Sequence, residues 1–119
     1  MNVTRFGQAP AYLAPNHFNM QCLRLQGHEA GPSLTLWLGV SLLAPGGYTS
    51  LDGSPLEKHY VVLEGEVTLV SDLGGVRTEA VLQRFDSACF APGEKRQLVN
   101  RGTQAASVLL AMPHPVKAS

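Results

Sequence analysis

The stretch KHYVVLEGE, residues 58–66, constrains the fold of this chain more than any other segment. Tyr60, Val61, Val62 and Leu63 run without a polar break and stop at Gly65, between two glutamates. A run this short, rich in β-branched residues and closed by glycine, reads as a strand buried on both faces and then a tight turn. Val67, Thr68, Leu69 and Val70 resume the strand pattern after the turn. Alternation along the first strand sends Lys58, Tyr60 and Val62 inward and His59, Val61 and Leu63 outward. What the chain can do depends on that inward set.

The remaining segments agree with an all-β chain. Residues 1–15 hold two prolines and little periodicity, and read as an arm across the body. Residues 18–25 have strand character, and the glycines, histidine and proline of 26–32 mark a loop. The clearest period-two pattern is 34–42, with Leu34, Leu36, Leu38, Val40 and Leu42 on one face. Thr35, Trp37, Gly39 and Ser41 fill the other face, where one large ring among small groups can line a cavity or pack a barrel. Pro45-Gly46-Gly47 reads as a loop, and DLGG at 72–75 as a hairpin turn. Further short strands are expected at 66–71, 77–82, 87–91, 95–99 and 105–112. About eight short strands at close spacing, with no helical stretch, predict an all-β sandwich or barrel.

Composition excludes several partners. Nine Lys+Arg balance nine Asp+Glu with no basic stripe, which disfavours nucleic acid and anionic membrane. No apolar run approaches the roughly 20 residues of a membrane helix, and the N-terminus lacks a secretory core. Cys22 and Cys89 show no metal spacing, so they read as buried free thiols in a cytoplasmic protein. At 119 residues the expectation is a single domain that buries about two-thirds of its unfolded surface. Its parts are an N-terminal arm and first strand over 1–33, a barrel over 34–112 and a tail over 113–119.

Two segments resemble the paired motifs of the cupin superfamily. Gly46 and Gly65 fall on the two glycines of the first motif; Gly93 and Asn100 match positions of the second. PGG, YVVLEGE and FDSACFAPGEKR share the texture of those motifs, and the resemblance covers 34–112. It implies a cupin-like double-stranded β-helix, a jelly-roll barrel, of the small bacterial type. In the family, two histidines, a glutamate and a later histidine point into the barrel and bind one divalent metal. Here those four positions hold Asp52, Ser54, Lys58 and Arg96, while Phe85 and Ala91 replace a glycine and a proline. Asp52 can donate to a metal and Ser54 only weakly. Lys58 and Arg96 would set two cations beside a third, and at about 4 Å and an effective dielectric near 20 each contact costs several kcal/mol.

The expected site is therefore a cup that uses neither metal nor cofactor. Its candidate lining is Asp52, Ser54, Lys58, Tyr60, Arg96 and Trp37. Lys58 and Arg96 either pair internally with Asp52 and Glu57 or leave a surplus positive charge suited to a carboxylate or phosphate. The corresponding functions are a metal-independent binder of a small anionic metabolite and a structural cupin with a filled cavity. A third is a metal-dependent enzyme of oxygenase or isomerase type with atypical ligands, for which His17 and Asp52 are the one relocated pair to weigh. Whether a reaction occurs stays open; Lys58 is the candidate base or imine-former. The apolar outer residues Val61 and Leu63 need a cover, which predicts a homodimer unless the N-terminal arm does the covering.

Overall fold

Residues 1–115 are described in a computed structural model; residues 116–119, the end of the expected tail, lie outside it. Nine strands follow in order, all paired antiparallel. They are β1 (Ala11–Tyr12), β2 (His17–Gln26), β3 (Leu36–Thr49), β4 (Lys58–Glu64), β5 (Val67–Leu73), β6 (Val76–Leu82), β7 (Ser87–Phe90), β8 (Lys95–Val99) and β9 (Ala106–Pro113). Short 3-10 turns occupy Phe6–Gln8 and His28–Ala30. The strand order β6-β5-β8-β3-β9-β4-β7, with β2 and then β1 joined beside β3, wraps into a nearly closed barrel. The expected all-β architecture is the observed one, with β1 added by the arm.

The long strand β3 holds the barrel together, and here the structure corrects the sequence reading. Pro45-Gly46-Gly47 is not a loop between strands but a bend inside β3. The first part of β3 runs between β2 and β9; beyond the bend, Tyr48 pairs with Val99 of β8. The register with β2 jumps from Met20↔Leu43 to Phe18↔Tyr48, so four residues of β3 bulge opposite Asn19. Gly47 is required there: a Cβ would sit 2.5 Å from the Asn19 carbonyl oxygen. Such a bulge bends a strand sharply and carries it from one sheet to the other. The 73–76 hairpin behaves as read, because Gly74 and Gly75 both take the positive φ that a two-residue primed turn demands.

Packing follows the alternation. Trp37, Leu43, Tyr60, Val62, Val67, Leu69, Phe90, Leu98, Val108 and Leu110 meet in one interior cluster. The regular leucine stripe of β3 lies on the opposite, outer face. There Val40 is buried, Leu38 and Leu42 are half-buried, and Leu36 is exposed. The arm follows β2: Asn2 hydrogen-bonds to Gln26 and Ala30, and β1 pairs with Cys22 and Leu23. β4 lies beyond β3 and β9 in the sheet, so the arm's strand does not cover Val61 and Leu63. The thiols divide: Cys22 is buried, whereas Cys89, expected to be buried, is exposed on the outer side of β7.

Candidate functional site

Four strand ends bring the interior polar groups together. Lys58 opens β4 and follows Tyr60 and Val62 inward, opposite Phe90 of β7. Arg96 is the second residue of β8, and its backbone exchanges hydrogen bonds with Asp52 at 2.9 and 3.1 Å. Thr49 ends β3 on the same side, facing His17 at the start of β2. Each residue is at a strand end because the chain there turns over the mouth of the barrel. These groups form the cup.

Arg96 is the deepest charge in the cup, 8% exposed. Its Nε donates to the Tyr60 hydroxyl at 2.9 Å, and one terminal nitrogen donates to Thr49 Oγ1 at 3.2 Å and to the Ser50 carbonyl at 3.5 Å. Thr49 Oγ1 also accepts from the Leu98 amide at 3.0 Å, which fixes its lone pairs. The partners of Arg96 are thus neutral, and its Nη2 has none among the described residues. Lys58 is half-buried, and its ammonium makes no hydrogen bond or ion pair among them. Burial lowers its pKa to about 8, the Arg96 charge adds to the effect, and Asp52 opposes it. Burial also raises the Tyr60 pKa, against a lowering by Arg96. Tyr60 therefore stays protonated and can donate onward into the cup.

Asp52 does not neutralise the pair. It is exposed at the mouth, where Ser50 donates to its carboxylate and Asn16 does so at 3.4 Å. The Ser50 hydrogen bond holds its pKa below the usual range, with smaller help from Asn16, Arg96 and Lys58. Nor does Glu57, the other candidate counter-charge: it lies outside the barrel, 3.3 Å from His59. The internal pairing that would have made Lys58 and Arg96 a structural bridge does not form. A third inward cation shows what full pairing looks like. Arg24 bonds Glu29 at 2.8 Å and lies over the rings of Tyr12 and Trp37, at 3.5 and 4.5 Å from their centroids.

Two expected lining residues belong elsewhere. Trp37 stands at the far end of β3 from Thr49, packed edge-on to Tyr12 and His28. Its ring is buried among Tyr12, His28 and the Arg24 guanidinium, and makes no cation–π contact with Lys58 or Arg96, so it is a core residue. Ser54 caps its own loop: its hydroxyl accepts from the Leu56 amide at 3.1 Å and its carbonyl from Gly93 at 2.7 Å. Glycine and proline beside it favour that local turn over an inward side chain.

His17, Thr49 and Ser50 join the cup without having been chosen as its lining. The His17 Nδ1–H donates to the Pro15 carbonyl at 2.7 Å, which leaves Nε2 as an acceptor. Burial lowers the His17 pKa, and Arg96 and Lys58 lower it further against the Pro15 bond and Asp52. The pairing of residue 17 with residue 49 placed it there, and no sequence motif carries that register. A hollow of about 180 Å³ under the arm runs past Tyr12, His17, Met20 and Cys22. A larger one, about 620 Å³, opens around His28, Leu34 and His114 at the Trp37 end, and neither Lys58 nor Arg96 lines it.

The family metal does not fit these residues. Lys58 and Arg96 offer no lone pair in their charged forms, the Ser54 hydroxyl is engaged in its loop, and Asp52 is tied down at the rim. His17 and Asp52 gain no third donor close enough to hold a cation with them among the described residues.

No family model matches the chain. A Mycobacterium tuberculosis protein named beta-D-galactosidase Rv1717 is 40% identical over 116 residues, covering 98% of this chain and 97% of that one. Among solved structures, the polyketide cyclase RemF of Streptomyces resistomycificus superposes with a TM-score of 0.79 at 21% identity, over 95% of this chain and 79% of its own. A cupin-2 domain protein of Rhodospirillum rubrum gives 0.79 at 16% identity, over 97% and 76%. A cupin-superfamily sugar phosphate isomerase of Silicibacter pomeroyi gives 0.74 at 24%, over 93% and 74%. At these identities the superpositions speak for the fold alone.

Proposed function

Since the chain belongs to the cupin superfamily, in one family with the Mycobacterium tuberculosis relative, we propose that it binds a small anionic metabolite in the cup without a metal there. It does so as a cytoplasmic homodimer paired through the outer face of β4. The observation that carries the reading is the Arg96 guanidinium: buried, held in place by neutral groups and hydrogen-bonded to no carboxylate among the described residues. A buried cation without a counter-charge is costly, and a ligand carboxylate or phosphate removes that cost. The planar guanidinium suits a bidentate oxyanion, Lys58 adds a point charge, and Tyr60 and His17 supply neutral hydrogen-bonding partners.

The relative's name favours a second reading, cleavage of a galactoside. Glycosidases ordinarily flank the scissile bond with two carboxyl groups and develop positive charge on the sugar. This cup offers Asp52 as its carboxylate and surrounds the sugar position with cations, which oppose that charge. A galactose derivative carrying its own carboxylate reconciles the two readings.

A thermal-shift screen of carboxylates, phosphates, galactose and galacturonate, with a chromogenic β-D-galactoside assay alongside, tests both. Stabilisation by anions that Arg96→Ala abolishes supports binding. Stabilisation by none of them returns the cup to a filled, structural one. Hydrolysis that Asp52→Asn abolishes makes the protein a glycosidase.

A further inference from the structure

We infer that Glu57, His59 and Cys89 form a surface site for a zinc-class divalent cation, on the outside of the barrel and separate from the cup. His59 of β4 and Cys89 of β7 are directly opposite partners in an antiparallel pair, so their side chains leave the same face a few ångströms apart. Glu57 precedes His59 by two positions and joins it on that face. The Glu57 carboxylate is 3.3 Å from the His59 ring nitrogen, and one ligating atom from each of the three lies within 4.8 Å of the others. Tetrahedral zinc with bonds of about 2.0 Å to N and O and 2.3 Å to S places neighbouring donors roughly 3.3–3.6 Å apart. The Glu–His spacing already meets this, and the thiol needs a movement of about 1 Å, within reach of an exposed side chain.

The donor chemistry selects the ion. A soft thiolate, a borderline imidazole and a hard carboxylate together suit zinc, with solvent in the fourth position. One thiolate and one carboxylate balance the dication. Burial, then the charges of Glu57 and Glu94, raise the Cys89 pKa, so the thiol is protonated before binding. Binding exchanges that proton for the metal and releases it to solvent. Lys58, between Glu57 and His59 in the chain, points through the sheet to the opposite face. The structural consequence is specific. β7 is a four-residue edge strand whose only strand partner among the described residues is β4, and the ion would clasp the two.

The test uses untagged, full-length protein and cobalt(II) or zinc(II) alone. One cobalt per chain is expected, with a near-ultraviolet sulfur-to-cobalt charge-transfer band. Cys89→Ser should abolish the band, and His59→Ala and Glu57→Gln should each weaken binding about tenfold or more. Zinc should raise the unfolding midpoint of the wild type and leave that of Cys89→Ser unmoved. Asp52→Asn and His17→Gln, in the cup, should change none of these results. No cobalt retained by the wild type, a band that survives Cys89→Ser, or metal binding lost in Asp52→Asn but kept in His59→Ala would each overturn the assignment.

Discussion

Asn100 and Arg96 stand four residues apart around the end of β8, both polar and both buried, yet they are opposite cases. Asn100, 1% exposed, uses its whole side chain. Its amide donates to the Leu43 carbonyl at 3.1 Å and the Gln104 carbonyl at 2.8 Å, and its oxygen accepts from the Gly102 amide at 3.0 Å. Its backbone meanwhile exchanges hydrogen bonds with Gly46 and Gly47, pinning the β3 bend. Arg96 is held just as firmly but retains its charge and one terminal nitrogen without a partner among the described residues. A polar group that is fully satisfied stabilises a fold, whereas one left partly open is available to a ligand. The first closes the barrel and the second furnishes it.

The largest expected effect breaks the closed case. Asn100→Ala orphans two carbonyls and an amide in the interior, and should cost about 3–5 kcal/mol, read as a lower urea midpoint with an unchanged m-value. A loss under about 1 kcal/mol would mean that water replaces the side chain and that Asn100 is not the lock described. Arg96→Ala should act in the other currency. It weakens binding of the best anion from the screen by roughly 2–4 kcal/mol by calorimetry, with Arg96→Lys recovering part of it, while the fold tolerates both changes. Equal affinities across the three proteins would erase the contrast with Asn100.

A smaller effect comes from pH. Lys58 has its pKa lowered to about 8, so its charge, and its share of anion affinity, fades as pH rises through that value. Affinity should drop by up to about tenfold between pH 7 and 9 in the wild type and stay flat in Lys58→Met. The sign for the free protein is the reverse. Unfolded lysine binds its proton more tightly, so the apo fold gains stability as pH rises from about 8 toward 10.5, and that gain should disappear in Lys58→Met. The smallest consequence for the cup comes from Leu63→Glu. It charges the half-buried outer face of β4 and should convert a dimer to a monomer by light scattering, with anion affinity unchanged. A wild-type monomer would refute the pairing.

Much of this was legible in the residues, and what was not has a common cause. The all-β class, the barrel, the two-residue turn at Gly74-Gly75 and the inward course of Tyr60 and Val62 follow from short-range periodicity and glycine conformation. Those rules act over a few residues. The bend at 44–47 escaped because glycine and proline signal a break without saying whether the strand ends or resumes on another sheet. Trp37 and Ser54 were misplaced for a similar reason. Alternation says which face a side chain takes but not how far along the barrel it lies, nor whether its own loop has claimed it.

The sequence by itself determined the fold and the identity of the charges at the family's metal positions. That much is local: pattern selects strands, and substitution of histidine and glutamate by lysine and arginine removes lone pairs wherever the strands end up. Only the tertiary structure decided which charges are paired. Asp52 is turned to the rim by Ser50 and Asn16, Glu57 lies outside the barrel, and Arg24 instead of Arg96 received a carboxylate. It also brought Cys89 beside His59, residues with no sequence relation. Pairing depends on strand register and on which side of a sheet a carboxylate emerges, and both are set by contacts between segments far apart in the chain.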